Sequence, residues 1–345
     1  MGSEMCIRDS VSTGSTLRVG IIGTGIMGAG HARFLTDHIS SATVTALFDV
    51  DTKRAETLAG ELGGSITIHS SAESLFNDPG IDAAIICSPD GLHVEHQRLA
   101  IKRGIPTLCE KPIATTVADA RAIASEIAEY EKSQGKTMIH FGFMRRFDPG
   151  FVELKKKMHS GIYGKPLYIR VTARNVSSNG IISPGLFTNI AVHDFDIIRW
   201  MTGDTWREVS SFYPPRSTQG DSSVGDPLVF VARGDKGFLF VEDVFAYGNY
   251  GYDVRYEAVC ENGAIEVANH GDVITRHNQE AGSPKAGTMD ENWIPRFEKA
   301  YIEELRAWVT AIASGVPNPD LATADDALKA AEACQLGVAS LPHMG

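Results

Sequence analysis

Gly23-Thr-Gly25-Ile-Met-Gly28 stands where an apolar run, Leu17-Arg-Val-Gly-Ile-Ile22, stops and a helical pattern begins. No other feature constrains the fold as tightly. A strand that ends in three spaced glycines and feeds a helix is the opening of a dinucleotide-binding βα unit. Gly23 permits the tight turn, Gly25 lets a pyrophosphate approach the backbone, and Gly28 lets helix and strand pack closely. From Ile26 and Met27 onward the helix start presents unpaired N–H groups and a positive dipole end to phosphate.

Asp49 closes the next strand pattern, Ala42-Thr-Val-Thr-Ala-Leu-Phe48, about 20 residues further on. A carboxylate there accepts hydrogen bonds from an adenosine ribose and repels a 2′-phosphate, so NAD is favoured over NADP. Lys53 and Arg54 read as helix-surface charges, although they could serve NADP. Further strands are predicted at 65–68, 82–87, 105–109 and 136–143, with helices at 52–62, 92–103 and, after Thr116 as its cap, 117–132 between them. Strands alternating with helices over 17–143 predict a doubly wound parallel sheet, a Rossmann domain.

After Arg146 the pattern changes. A short helix carries Phe151, Leu154 and Met158, and β-rich segments follow at 167–174, 208–213, 228–233, 237–247, 254–261 and 264–267. One helix, 186–201, interrupts them, and helices near 296–314 and 322–340 close the chain. Residues 144–345 are therefore expected to form an α+β domain with a large, mostly antiparallel open sheet, helices covering one face. The last helix is expected to pack back on the first domain. Residues 1–16 lack an apolar stretch of signal-peptide length, begin with what resembles a cloning scar, and are expected to be disordered.

At 345 residues the chain suits two cores. Its net charge of -11 argues against non-specific nucleic-acid or anionic membrane binding. No run approaches the ~18 apolar residues of a membrane span. Cys6, Cys87, Cys109, Cys260 and Cys334 are scattered without metal or disulfide spacing, which suits a reducing cytoplasm and predicts no metal site.

Two groups of residues carry the chemistry. Glu110-Lys111-Pro112 ends the fifth strand, on the side of an open parallel sheet where ligands bind. An ammonium there can hold a substrate hydroxyl and stabilise the alkoxide that develops as hydride leaves. Glu110 could orient that lysine or touch the nicotinamide ribose. The second group, Asn189-Ile-Ala-Val-His193-Asp194, puts Asn189 and His193 on one helix face. Histidine suits proton removal from an alcohol. From spacing alone, a core histidine satisfied by a backbone carbonyl is the favoured reading.

Gly23–Gly28, Ser88-Pro89 with His93, Glu110-Lys111-Pro112, Gly161-Ile-Tyr-Gly-Lys-Pro166 and His193-Asp-x-Asp196 together resemble the Gfo/Idh/MocA family of NAD(P)-dependent oxidoreductases. The likeness runs from Leu17 almost to the C-terminus. Within the family the chain is most similar to inositol 2-dehydrogenases, through Gly142-Phe-Met-Arg-Arg-Phe-Asp148, Ala173-Arg-Asn175, Tyr250-Gly-Tyr-Asp253 and the Trp293–Trp308 region. The resemblance implies that Lys111 and His193 act in catalysis with Asn189. It implies that Ser88, Pro89, His93 and Glu110 join the glycines and Asp49 around the cofactor. It further implies that Met144, Arg145, Asn175, Tyr250 and Tyr252 line the substrate pocket. Two positions depart: Asn189 stands where the family has aspartate, and Ala173 where inositol dehydrogenases have histidine. Asparagine can hold a hydroxyl but supplies no charge to raise a histidine's pKa.

The expected protein is an NAD-dependent dehydrogenase of a secondary hydroxyl on a cyclic polyol such as myo- or scyllo-inositol. Alternatives are a pyranose dehydrogenase, an NAD-dependent redox/elimination glycosidase, and, in another class, a catalytically silent NAD-binding regulator. The resemblance also implies a homo-oligomer, a dimer or tetramer formed through the open sheet face.

Overall fold

The computed structural model describes residues 16–177, 180–218, 224–248, 251–267 and 290–342. The expected leader therefore lies, but for Thr16, outside the described residues. Contacts divide the chain into two compact units. The first holds residues up to Ala114 with Ala122–Gly142 and Glu304–Ala324; the second holds Thr115–Arg121, Phe143–Glu303 and Asp325 onward.

In the first unit, strands β1 (Leu17–Ile22), β2 (Ala42–Phe48), β3 (Thr67–Ile68), β4 (Ala83–Ile86), β5 (Thr107–Glu110) and β6 (Ile139–Gly142) form one sheet in the order β3-β2-β1-β4-β5-β6. Every pair is parallel, as the alternating pattern predicts. The central strands β1 and β4 are buried on both faces, which is why they read as nearly continuous apolar runs rather than alternating ones. Each Ile or Leu removed from water there contributes about 1.5–3 kcal/mol. Helices α1 (Ile26–His38) and α2 (Thr52–Leu62) connect the first strands. α3 (Ala72–Phe76) was not foreseen, being too short to show a period. A reciprocal Ser71–Ser74 capping box fixes its start, and its Leu75 packs over Gly20, where a Cβ would sit 2.8 Å from Leu75 Cδ2. α4 (His93–Arg103) and α5 (Val117–Gln134) complete the alternation.

The second unit opens with α6 (Pro149–Met158), whose N-cap Asp148 accepts from the backbone of Gly150 and Phe151. Its sheet contains β7 (Pro166–Arg174), β8 (Trp206–Phe212), β9 (Leu228–Gly234), β10 (Leu239–Phe245), β11 (Asp253–Cys260) and β12 (Gly263–Val267), in the order β12-β11-β7-β10-β9-β8. Only β7 and β10 pair in parallel; the other pairs are antiparallel. Alternation is regular along β7, β9 and β10 and breaks at a bulge in β8. Ile169, Val171, Phe230, Phe240 and Tyr256 face inward, while Arg170, Val231, Val241 and Arg255 lie on the more exposed face. The inner face meets α7 (Val192–Thr202), whose Phe195 packs against Phe230, Phe240 and Trp206 at ring separations of 5.3–6.0 Å.

Two long helices depart from a split at a single boundary. α5 and α8 (Trp293–Ser314) each contribute residues to both units. Periodicity reveals a helix but not which core each of its ends serves. Residues 304–324 join the parallel-sheet unit, where Phe141 N donates to Ala322 O at 3.0 Å. α9 (Ala324–Ala339), the helix expected to return to that sheet, instead has its partners in the second unit. Cys334 donates to the Phe187 carbonyl at 3.2 Å and Ser340 meets Ser211 at 2.6 Å.

Arg146 and Asp196 form a bidentate pair, Nε–Oδ2 2.9 Å and Nη2–Oδ1 2.5 Å, with both side chains within 2% of complete burial. Asp326 of α9 approaches the same guanidinium at 3.3 Å. Removing one buried partner strands the other, so Asp196→Ala is expected to destabilise by about 3–5 kcal/mol in denaturant unfolding. The apolar double replacement Arg146→Met with Asp196→Leu should recover most of that loss.

Candidate active site

The glycine turn between β1 and α1 is built for close approach. Gly23 has φ +86°, and a Cβ there would collide with the Cys87 carbonyl; a Cβ on Gly28 would collide with the Gly23 carbonyl. Gly25, the N-cap of α1, differs. It makes no side-chain cap and has open space where a Cβ would be. Ile26 beyond it is exposed and Met27 half-buried. The first-turn N–H groups of α1 thus face an open cradle, the arrangement that suits a pyrophosphate.

Asp49 sits at the end of β2. Its Oδ2 accepts from the Thr24 backbone at 2.7 Å and hydroxyl at 2.9 Å, and its Oδ1 accepts from Asp51 N at 2.9 Å. Burial alone would raise its pKa, but these donors outweigh burial and hold it below the usual carboxylate range. Oδ2 is filled by its two Thr24 donors, whereas Oδ1 keeps acceptor capacity for a ribose hydroxyl. Arg54 lies 3.8 Å from Oδ2, with its side chain half exposed. The open cradle and the ionised, oriented Asp49 fit an NAD half-site.

At the ends of β4 and β5 the arrangement is tighter than the sequence suggests. Ser88 Oγ is 2.9 Å from His96 Nδ1, both buried, and Pro89 starts the turn that leads to α4. Both ring nitrogens of His93 face backbone carbonyls, Ser88 and Pro112, so its ring is engaged inside the protein instead of facing a ligand. The Glu110 carboxylate is 2.7 Å from Nε2 of His31, a fully buried residue of α1 that no sequence argument singled out. Burial would raise the pKa of Glu110, yet His31, Lys111 and His93 lower it, so it stays ionised. Lys111 follows directly at the strand tip.

In the second unit, Asn189 and His193 straddle a change of helix type. Leu186–Ala191 is a π-helical turn, and α7 begins at Val192. Such turns concentrate at functional sites. Asn189 is exposed; His193 is half-buried with its ring edge-on to Phe143 at 6.2 Å. The next residue, Asp194, is completely buried. Its Oδ1 accepts from Arg145 Nη1 at 2.6 Å and from the Tyr256 hydroxyl, which also receives a 3.0 Å contact from Arg145. Arg145 is thus a buried anchor for the start of α7, and its side chain is not open to solvent as a substrate contact would require.

Met144 is buried beside it in sequence. Asn175 extends the inward row of Val171 and Ala173 past the end of β7 and is held by backbone bonds to Phe245 and Gly248. Tyr252 continues the row of Val254 and Tyr256, stacked edge-on against Phe297 at 6.3 Å. Tyr250 lies outside the described residues.

Glu242 of β10 was also missed. It occupies an inward position between Phe240 and Val244, is completely buried, and neither carboxyl oxygen accepts a hydrogen bond among the described residues. Burial and the neighbouring Asp194 charge push its pKa well above the carboxyl range. Two carboxyl groups in such a site share one proton, and Glu242 holds it.

Comparison with known proteins agrees with this architecture. Residues 17–140 match the oxidoreductase family model with the NAD-binding Rossmann fold, and residues 151–266 match the GFO/IDH/MocA C-terminal domain. The chain belongs to the GFO/IDH/MocA oxidoreductase family and acts as an oxidoreductase on CH–OH groups. It is 35% identical over 302 residues to inositol 2-dehydrogenase 1 of Saccharopolyspora erythraea, covering 87% of each chain. It is 34% identical to inositol 2-dehydrogenase of Paracoccus denitrificans, again over 87% of each. The crystal structure of myo-inositol dehydrogenase from Lactobacillus casei in complex with NAD(H) and myo-inositol superposes with a TM-score of 0.85 at 30% identity, covering 94% of both chains.

Because the folded-state pKa of Glu242 is raised, the native chain keeps a proton that the unfolded chain releases above about pH 4.3. Stability therefore falls as pH rises from there toward the folded value. Glu242→Gln removes this titration, so its Tm advantage over the parent should grow between about pH 5 and about pH 8 in calorimetry.

Proposed function

We propose that the chain is an NAD-dependent dehydrogenase that oxidises a secondary hydroxyl of an inositol or a closely related cyclic polyol. The observation that carries this is the pairing of two things: inositol 2-dehydrogenase relatives across most of the chain, and an uncapped glycine cradle with an ionised Asp49. The nicotinamide supplies a hydride acceptor when bound. His193, half-buried at the start of α7, takes the hydroxyl proton. Lys111, at the tip of β5, is assigned the stabilisation of the alkoxide charge that develops as hydride leaves. Asn189, exposed one π-turn earlier, holds a neighbouring hydroxyl. Arg145 acts from below by fixing Asp194, next to His193.

A pyranose is the second reading, favoured by Ala173. Its buried methyl on the inner face of β7 offers no polar partner to a polyol, and an unpaired buried hydroxyl costs about 1–3 kcal/mol. The more exposed face of the second sheet, with Arg170, Val231 and Val241, supports pairing with a second copy of the chain. The four described cysteines are free thiols, which supports a cytoplasmic location.

NADH formation measured by absorbance against a panel of inositols and aldoses, with NAD and NADP in parallel, tests the reading. Turnover with myo- or scyllo-inositol and NAD is the expected result, and activity confined to aldoses would select the pyranose. Silence throughout, with NAD still bound, would overturn both. Lys111→Ala is expected to lower kcat by roughly 10²–10³-fold. His193→Ala is expected to lower it by roughly 10²–10⁴-fold. Either variant keeping near-full turnover would remove that residue from the mechanism.

A further inference from the structure

His93 is the first residue of α4 and is 1% exposed. Its Nδ1 lies 2.7 Å from the Pro112 carbonyl oxygen and its Nε2 lies 2.8 Å from the Ser88 carbonyl oxygen. A carbonyl oxygen only accepts. A neutral imidazole has one N–H and one bare lone pair, so one of these contacts would set lone pair against lone pair at hydrogen-bond distance. Both bonds form together only when both nitrogens carry hydrogen.

We propose that His93 is a buried imidazolium that ties the turn after β4 to the Glu110-Lys111-Pro112 turn after β5, and thereby positions Lys111. The two carbonyls belong to different strands' ends, Ser88 beyond β4 and Pro112 one residue past Lys111. A cation at the N-terminal end of α4 opposes the helix dipole, so helix stability is not the reason for the charge. The groups facing the ring are Cys109 and Glu110 from β5 and His96 from the next turn of α4. Burial pushes the ring toward deprotonation, but Cys109 and the two carbonyls outweigh it and place its pKa at about 10. The positive ring in turn helps keep Glu110 ionised. His93 therefore serves as a positioning residue, a role distinct from contact with the dinucleotide.

The charge state is tested without turnover, so it stands apart from the dehydrogenase reading on which its catalytic consequence rests. In ¹⁵N-histidine NMR of the full chain at about pH 8, an unperturbed histidine with pKa about 6.5 is neutral. One ring is expected to show two protonated nitrogens; His93→Gln should delete that signal and His31→Gln should retain it. Spectra in which every histidine carries one protonated and one bare nitrogen would overturn the proposal, as would loss of the doubly protonated signal in His31→Gln. Where His93→Gln fails to fold, His93→Asn makes the same assignment, and His69→Gln, beside Asp78, should retain the signal. For positioning, His93→Gln offers one N–H set where two were used and should lower kcat about tenfold while leaving KM for NAD within about twofold. Wild-type kcat in that variant would overturn the link to Lys111. An inactive wild-type enzyme with the doubly protonated ring present would count against the dehydrogenase reading alone.

Discussion

Two consecutive arginines, each matched to its own buried aspartate, govern the second unit. Arg145 binds Asp194 and Arg146 binds Asp196, and all four side chains are almost wholly removed from water. A buried charge without its partner is far more costly than the pair, so the pairing admits few alternatives. Residues two apart on an α-helix project about 200° from one another. The two ion pairs therefore grip α7 from opposite sides and allow it neither to roll nor to slide. His193 sits directly before the first gripped residue, at the seam where the π-helical turn gives way to α7. Glu242 adds a neutral carboxyl to this group, so the cluster of Arg145, Asp194 and Glu242 carries no net charge.

The nucleotide half reaches a comparable rigidity by other means. There, absent side chains matter most: Gly23 and Gly28 bring α1 against the ends of β1 and β4 so closely that no methyl group would fit. That approach also buries His31 of α1 against Glu110 at the tip of β5. The glycine turn and the Glu-Lys-Pro turn, 80-odd residues apart in the chain, are thus joined by one hydrogen bond between two buried ionisable groups.

Most of this architecture was legible from residue patterns. Leu17–Ile22 announces itself as an apolar run halted by Gly23, because a central parallel strand is buried on both faces, and Ala42–Phe48 by an alternation that ends at Asp49. The alternation in Leu239–Phe245 likewise marks a sheet with one covered face, yet Glu242 within it gave no sign of its partner Asp194, nearly fifty residues away. His31 lacked a signal for the same reason, since its role depends on Glu110. Likeness pointed to Arg145 as a pocket residue, whereas the fold buries it and engages its guanidinium with Asp194 and Tyr256. The five-residue α3 and the π-helical turn lie below the length at which periodicity speaks. The assignment of 304–324 to the first unit follows from tertiary contacts, to which local pattern is blind.

The bridge between Phe141 and Ala322 has a consequence for the molecule in concentrated solution. β6 ends the parallel sheet on one side, and a bare outer strand is a template on which a foreign strand can dock and propagate aggregates. Ala322 occupies part of that template from within the same chain. At the other border, β3 is only two residues long and offers little length for docking. A sheet of six parallel strands, slow to assemble and exposed while it does so, is in this way shielded on both flanks against self-association once folded.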